Sequence, residues 1–357
     1  MKNIKIITFF IIVSLGLQLA IFLFLDWKAD QLLNPHYRID KEYIINESLT
    51  EAENYSLSYN NKFLACVLHN NLKIIDLINN RVFNLANNES SLIGYRWLPD
   101  RNGLIYFTQS VTNNLKVLNL FSLDFESENQ IKPKLDRIIS LDIDKILEIE
   151  ISTYTNNLYI LSTNSSNETE LIKIDIMKNY NKFNGPGEII TKIKVSNKFG
   201  ILFLESFEKD QRKTITMLNG SKRTLISDDP NIVLLECSDN LLYTGKLDEG
   251  YLTEIYLYKV DNTNKQIDYK NRLLIWQGKI PYKDIKSTSC IDGNLLLKNF
   301  NFLYIIEPNG NSKKMKSNNK IVPASTGLMY LELIEDELKT RYYWRSILIS
   351  SSSRDKN

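Results

Sequence analysis

The chain has 357 residues, 43% of them hydrophobic, and its 44 basic and 42 acidic side chains leave a formal charge of only +2. That balance excludes the strongly basic footprint of a nucleic-acid-binding protein, and the apolar share suffices for one large closed unit or for two ordinary domains. Three cysteines, Cys66, Cys237 and Cys290, stand far apart in apolar strand-like runs with no CxxC pair, so zinc and thiol-redox motifs are absent and buried free thiols are expected.

The first element in the chain is residues 6–25, which carry no charge. Such a run, at about 1.5 Å per residue, is long enough to cross a hydrocarbon core of about 30 Å as a helix. Lys2 and Lys5 precede it and Asp26, Lys28 and Asp30 follow, which places the N-terminus in the cytoplasm and the rest of the chain outside the cell membrane. A secretion signal begins in the same way, but no small-x-small cleavage pattern follows Leu25, so a retained signal-anchor over residues 1–25 is expected. Residues 26–40, which include His36, read as a juxtamembrane stalk.

Beyond the stalk a short strand ending in a polar turn residue recurs: LKIIDL from Leu72, LKVLNL from Leu115, LIKIDI from Leu171, TITMLNG from Thr214, YLYKVD from Tyr256, LYIIEP from Leu303 and WRSILIS from Trp344. Aligning Asp76, Asn119, Asp175, Asn219, Asp261, Glu307 and Ser350 gives spacings of 43, 56, 44, 42, 46 and 43 residues. A period in the mid-forties is the size of a four-stranded propeller blade, and residues such as Asp and Asn open tight turns by bonding their own backbone. A second apolar run precedes each strand, as in FLACVLH from Phe63, GLIYFTQ from Gly103 and NLLLKNF from Asn294, so every unit holds a hairpin.

The expected fold is therefore all-β, a propeller of about seven four-stranded blades over residues 41–350 with a polar tail at 351–357. Six blades with a C-terminal extension is the alternative. The seventh unit lacks room for a fourth strand, so a strand at Tyr43 to Ile45 is expected to complete it and close the ring, which removes exposed sheet edges. The extra length between the second and third units is assigned to the loop from Asp124 to Asp136.

Within the second unit, RWLPDRNGLIYF from Arg96 to Phe107 resembles the TolB-type, WD40-like propeller repeat, whose pattern is Trp-Ser-Pro-Asp-Gly before an apolar strand. Trp97, Pro99 and Asp100 match, Leu98 replaces the serine, and LSYNNKFLACV from Leu57 keeps a faded copy, so the resemblance lies mainly in residues 56–107. It implies a large aromatic packed between blades, with Pro-Asp starting the next turn. Members of that group serve as periplasmic interaction modules or as gating domains beside a catalytic domain, and the repeats leave no room here for a catalytic domain.

Chemistry is sparse. No GxSxG elbow occurs, and His36 and His69 are the only histidines, so neither a Ser-His-Asp site nor a multi-histidine metal site is expected, and no cofactor is implied. Glycosidases need only carboxylates, for which Asp142, Asp144, Glu148 and Glu150, or Asp228 and Asp229, are candidates. The two glutamates alternate along a strand in the manner of a solvated face, and the aspartates precede Pro230 in a turn. GPGE from Gly185 lacks the Lys-Ser/Thr of a phosphate loop and reads as a turn. Tyr342, Tyr343, Trp344 and Trp276 suit strand packing better than sugar stacking. The expectation is a membrane-tethered, non-enzymatic binding module for a protein, peptide or envelope polysaccharide at one mouth of the ring, with a carboxylate-dependent glycan hydrolase as the alternative.

Overall fold

The computed structural model describes residues 14–25 and 42–346, apart from 86–89, 113–114, 126–132, 141–142, 176, 186, 209, 262–266, 268–271, 284, 290–292, 300–301, 317–318, 325–328 and 336–338. A helix occupies residues 14–25, and all twelve of its side chains are exposed. Among the described residues no helix is long and apolar enough to cross a membrane. The expected anchor is thus not reproduced as a full span, since at 1.5 Å per residue twelve residues reach only about 18 Å, and its first part, residues 6–13, lies outside the described residues together with the stalk and His36.

Between Glu42 and Ser346 the described residues form strands and their connections, in seven four-stranded antiparallel sheets. Blade 1 is β2 (Glu53–Leu57), β3 (Phe63–Leu68), β4 (Asn71–Asp76) and β5 (Arg81–Leu85). Blade 2 is β6 (Ser91–Trp97), β7 (Gly103–Thr112), β8 (Leu115–Asp124) and β9 (Lys134–Ser140). Blade 3 is β10 (Lys145–Ser152), β11 (Asn157–Thr163), β12 (Thr169–Ile174) and β13 (Tyr180–Lys182). Blade 4 is β14 (Ile189–Val195), β15 (Leu202–Phe207), β16 (Lys213–Asn219) and β17 (Lys222–Ser227). Blade 5 is β18 (Ile232–Ser238), β19 (Leu241–Asp248), β20 (Tyr251–Lys259) and β21 (Leu273–Pro281). Blade 6 is β22 (Lys286–Ser289), β23 (Leu295–Asn299), β24 (Phe302–Ile306) and β25 (Ser312–Lys316). Blade 7 is β26 (Lys320–Pro323), β27 (Met329–Glu335) and β28 (Thr340–Ser346), completed by β1 (Glu42–Ile45).

The ring closes as the sequence implies, with Tyr43 opposite Tyr342 and Ile45 opposite Thr340. Seven sheets set aside the six-blade alternative. The first strand of each blade lies innermost, and the inner strands neighbour one another around the axis, β26 beside β2, β6 beside β10, β10 beside β14, β14 beside β18 and β18 beside β22.

Each second strand carries a run of apolar residues because a blade is covered on both faces by its neighbours. Seven apolar layers result, one per interface between blades. The layer between blades 7 and 1 holds Ile45, Leu64, Cys66, Leu331, Tyr342 and Trp344. Tyr342 stacks on Tyr43 at 5.1 Å between ring centroids and donates its hydroxyl to the Leu77 carbonyl at 2.8 Å, so this aromatic cluster is packing. Trp276 packs partly buried between blades 5 and 6.

Strand polarity gives the ring two faces. β1 is an outermost strand that enters at Glu42, so the turns from first to second and from third to fourth strand share that entry face. Turns from second to third strand, and the connections between blades, lie on the opposite face.

Candidate functional site

The repeat positions divide by role. Asp76 ends β4 and its Oδ1 accepts from the backbone N–H groups of Ile78 at 2.9 Å and Asn79 at 3.0 Å, while Asp175 accepts from Asn179 at 2.9 Å. Asn219 pairs with Lys222 across a turn in which Gly220 holds φ at +62°. Glu307 follows β24 and closes a turn in which its carbonyl accepts from Gly310. Asp261 follows the end of β20 on the entry face. Asn119 differs from these: it lies in mid-strand, opposite Thr108 and Ile138, and β8 runs on to Asp124. The irregular interval arises in part because Asn119 stands five residues before the end of β8, and the stretch between Asp124 and Lys134 adds to it.

Trp97 ends β6, buried between blades 1 and 2, and its Nε1 donates to the Ser56 carbonyl at 3.2 Å. Pro99 is exposed in the following turn and the Asp100 carboxylate lies 3.5 Å from the Arg101 guanidinium. Gly103 closes that turn, where a Cβ would come within 2.6 Å of Leu98. In blades 1, 3, 4 and 5 the position of Leu98 is a serine, Ser58, Ser152, Ser196 and Ser238. Ser152 Oγ donates to the Asn197 carbonyl and Ser196 Oγ to the Asp239 carbonyl, both at 2.6 Å and both reaching the next blade. Asn197 Oδ1 and Asp239 Oδ1 in turn accept from the Thr153 and Lys198 backbone amides.

The largest departure from expectation concerns Glu148 and Glu150. Neither lies on a solvated face. Inner strands of blades 1 to 5 each carry one extra residue relative to their partner, the shift falling between Glu53 and Ser56, Leu92 and Gly94, Ile146 and Glu148, Ile190 and Lys192, and Leu234 and Glu236. Such bulges re-aim the side chains that follow them.

Beyond the bulges, Arg96, Glu150, Lys194 and Glu236 take equivalent places on consecutive blades and alternate in sign. Arg96 pairs with Glu150 at 3.0 Å, Lys194 with Glu150 at 2.8 Å and Lys194 with Glu236 at 3.8 Å. Glu148 also grips the Lys194 ammonium and accepts from the Ile193 amide at 2.8 Å. Glu205 accepts from the Leu234 amide of the next blade at 2.7 Å and pairs with Lys213 at 3.2 Å.

Burial alone would raise the Glu148 carboxyl, but the Lys194 charge and the Ile193 N–H hold it below its ordinary value. The Glu236 carboxyl is pushed up, by burial first and by Glu150 against the pull of Lys194. Burial opposes the Lys194 charge, yet Glu150, Glu236 and Glu148 keep that ammonium protonated above its usual range. The Cys237 thiol beside this cluster is driven well up by burial and then by Glu236, so it is chemically quiet. Cys66 is likewise a buried thiol outside any disulfide, and Cys290 lies outside the described residues.

The remaining candidates stay apart. Asp144 is exposed and pairs with Lys116 at 3.0 Å, and Asp142 lies outside the described residues. Asp228 and Asp229 sit in the turn before β18, where Asp229 accepts from the Asn231 amide. Gly185 and Glu188 close a turn between blades, the Gly185 amide bonding Glu188 Oε2 at 3.0 Å. His69 holds φ at +49° and contacts Glu51 at 2.6 Å. Among the described residues no group of three or more His, Cys, Asp and Glu is placed to hold a metal ion.

A cavity of about 600 Å³ opens on the face opposite the entry of β1, where blades 6, 7 and 1 meet. Leu296, Leu303, Ile321 and Pro323 form its apolar part, Tyr55 one wall, and Glu51, Glu53, Lys298 and Lys320 its polar lining. Lys298 donates to the Ile321 carbonyl at 2.7 Å, while Lys320 donates to the Ala52 carbonyl at 3.0 Å and lies 4.9 Å from the centre of the Tyr55 ring. The layer between blades 6 and 7 has only four fully buried apolar members among the described residues, Leu296, Leu303, Ile305 and Ile321, against eight or more at every other interface. The cavity opens beside this layer, the smallest among the described residues.

No family model matches the chain and no curated protein sequence matches it. Solved structures do. The β-propeller domain of Cps50 (Swd1) from Myceliophteria thermophila aligns with a TM-score of 0.53 at 13% identity, covering 86% of this chain and 98% of that one. A chain of the mitotic checkpoint complex aligns with a TM-score of 0.56 at 10% identity, covering 85% of this chain and 93% of that one. These WD40-type propellers establish the fold, and the resemblance to the TolB-type repeat rests on the residues of blades 1 and 2 alone.

Proposed function

We propose that this chain is a non-enzymatic binding module, tethered to a membrane through residues 6–25 with its propeller outside the cytoplasm, and that it recognises a protein or peptide at the mouth opposite the entry of β1. The observation that carries the binding reading is the cavity built from three blades on that face. Loops and concave mouths on a rigid scaffold suit recognition. The carboxylates nearest the axis favour binding over glycoside hydrolysis, because Glu148 and Glu150 are ion-paired to Lys194 and Arg96 instead of facing open space. A hydrolase needs an acid and a second carboxylate in reach of a sugar.

The tether reading rests on the uncharged run at residues 6–25 and the flanking Lys2 and Lys5. Glu42, where the described ring begins, lies on the entry face and so opposite the cavity. A chain of similar fold sits within the mitotic checkpoint complex, which accords with an interaction role. Chemical crosslinking of the full chain in its membrane, followed by affinity capture, is expected to trap one recurrent partner through the cavity face. Crosslinks spread evenly over both faces would count against the reading. A reporter fused after Ser353 should be active outside, and release of the chain by alkaline wash would overturn the tether.

A further inference from the structure

The cavity between blades 6, 7 and 1 combines an apolar interior with an acidic lip. Leu296, Leu303, Ile321 and Pro323 supply the interior, and at its edge stand two exposed acids, Glu51 on the connection from β1 to β2, bonded to His69 at 2.6 Å, and Glu53, the first residue of β2. Its volume of about 600 Å³ exceeds that of any single side chain and suits a few residues of an extended chain. Beside it β2 is bulged, so Asn54 and Tyr55 stand against a single residue of β3, and Asn54 itself sits at φ +53°. The bulge is fixed in place from blade 2, where the Tyr95 hydroxyl donates to the Asn54 carbonyl.

The acidity is not confined to the lip. On the same face Asp228, Asp229, Asp248 and Glu249 are exposed, and like Glu53 they have no basic partner within ion-pair distance among the described residues. Both lysines of the lining point inward to backbone carbonyls of the cavity wall. An occupant that is apolar at its centre and cationic beside Glu53 would match the cavity and its lip.

We propose that the cavity binds an extended peptide segment of a protein partner, with an apolar side chain seated among Leu296, Leu303, Ile321 and Pro323 and a neighbouring lysine or arginine held by Glu53. This rests on the binding-module reading and gives it a site and a ligand chemistry.

The probes are fluorescein-labelled hexapeptides with blocked ends, in which leucine is flanked by two lysines, by two glutamates, or replaced by glycine between two lysines. Anisotropy titrations use the full chain in detergent micelles. The lysine-leucine peptide is expected to bind saturably, about tenfold tighter than the glycine probe, with weaker binding in high salt. Glu53→Lys should weaken it about tenfold, and Asp210→Lys, an exposed acid of blade 4 on the same face, should leave it unchanged. Equal binding of the glutamate-flanked peptide, or equal losses from Glu53→Lys and Asp210→Lys, would overturn the proposal by showing general electrostatic attraction. Absence of binding by all three probes while crosslinking still captures a partner would overturn the peptide site and leave the binding-module reading standing.

Discussion

Lys194 is the residue on which most depends. Its ammonium is buried with Glu148 and Glu150 against it and Glu236 a little farther away. Removing one partner of such a cluster leaves carboxylates buried and uncompensated, so Lys194→Met is expected to cost about 3–5 kcal/mol. Glu236→Gln removes a carboxyl that burial already disfavours as a charge, and should change stability by no more than about 1 kcal/mol. Urea unfolding of both variants tests the contrast.

The pH dependence follows from signs. Glu148 is held below its ordinary value in the fold, so its contribution is present above the unfolded glutamate pKa of about 4.3 and is lost as pH falls through the folded value. Lys194 is held above its ordinary value, so its contribution is present below the unfolded lysine pKa of about 10.4 and is lost as pH rises through the folded one. Thermal melts of the parent should fall at the acid end, and Glu148→Gln should fall less steeply there.

At the scale of elements, the second and third strands of blades 1 to 6 were legible in the sequence and the first and fourth largely were not, while in blade 7 the expected WRSILIS overlaps β28 only from Trp344 to Ser346 and Ser350 lies outside the described residues. FLACVL of β3 is buried on both faces and therefore reads as a continuous apolar run. KRTLIS of β17 lies at the outer rim with no buried residue, so its pattern carries little signal. The inner strands fail for another reason, because a bulge breaks their alternation and charges replace apolar residues in a buried layer. Glu148 and Glu150 looked solvated since the basic residue that pairs with both, Lys194, lies 44 and more positions away. Pairing across blades is invisible to local patterning.

The serine contacts between blades do leave a trace. Ser152, Ser196 and Ser238 end successive inner strands at spacings of 44 and 42 residues, a second repeat in phase with the one carried by Asp175 and Asn219. Ser196→Ala, which deletes the donor to the Asp239 carbonyl, should lower stability by about 1 kcal/mol. Trp97→Ala, which empties the layer between blades 1 and 2, should cost about 3–5 kcal/mol by the same measurement.

For the molecule as a whole, the described strands begin and end on one face, with Glu42 opposite Tyr343 and three residues from the end of β28. Ends so placed tolerate being joined. A circular permutant of residues 42–346, with a short linker from Ser346 to Glu42 and new ends between Gly220 and Ser221, is expected to fold to the same ring. Far-UV circular dichroism and a single cooperative unfolding transition are the readouts, and loss of either would show that ring closure depends on the native order of synthesis.

Placement of β1 also has a mechanical side. Tension transmitted through the chain ahead of Glu42 enters the ring along the axis of a four-residue strand whose only ladder partner is β28. The paired backbone bonds are loaded together in shear and do not unzip one at a time. Ile45 and Leu49, both fully buried, would have to leave the layer between blades 7 and 1 before the strand could slide. Because the same strand is the clasp of the circle, a pull strong enough to extract it would release every other blade from closure, making β1 the ring's mechanical fuse.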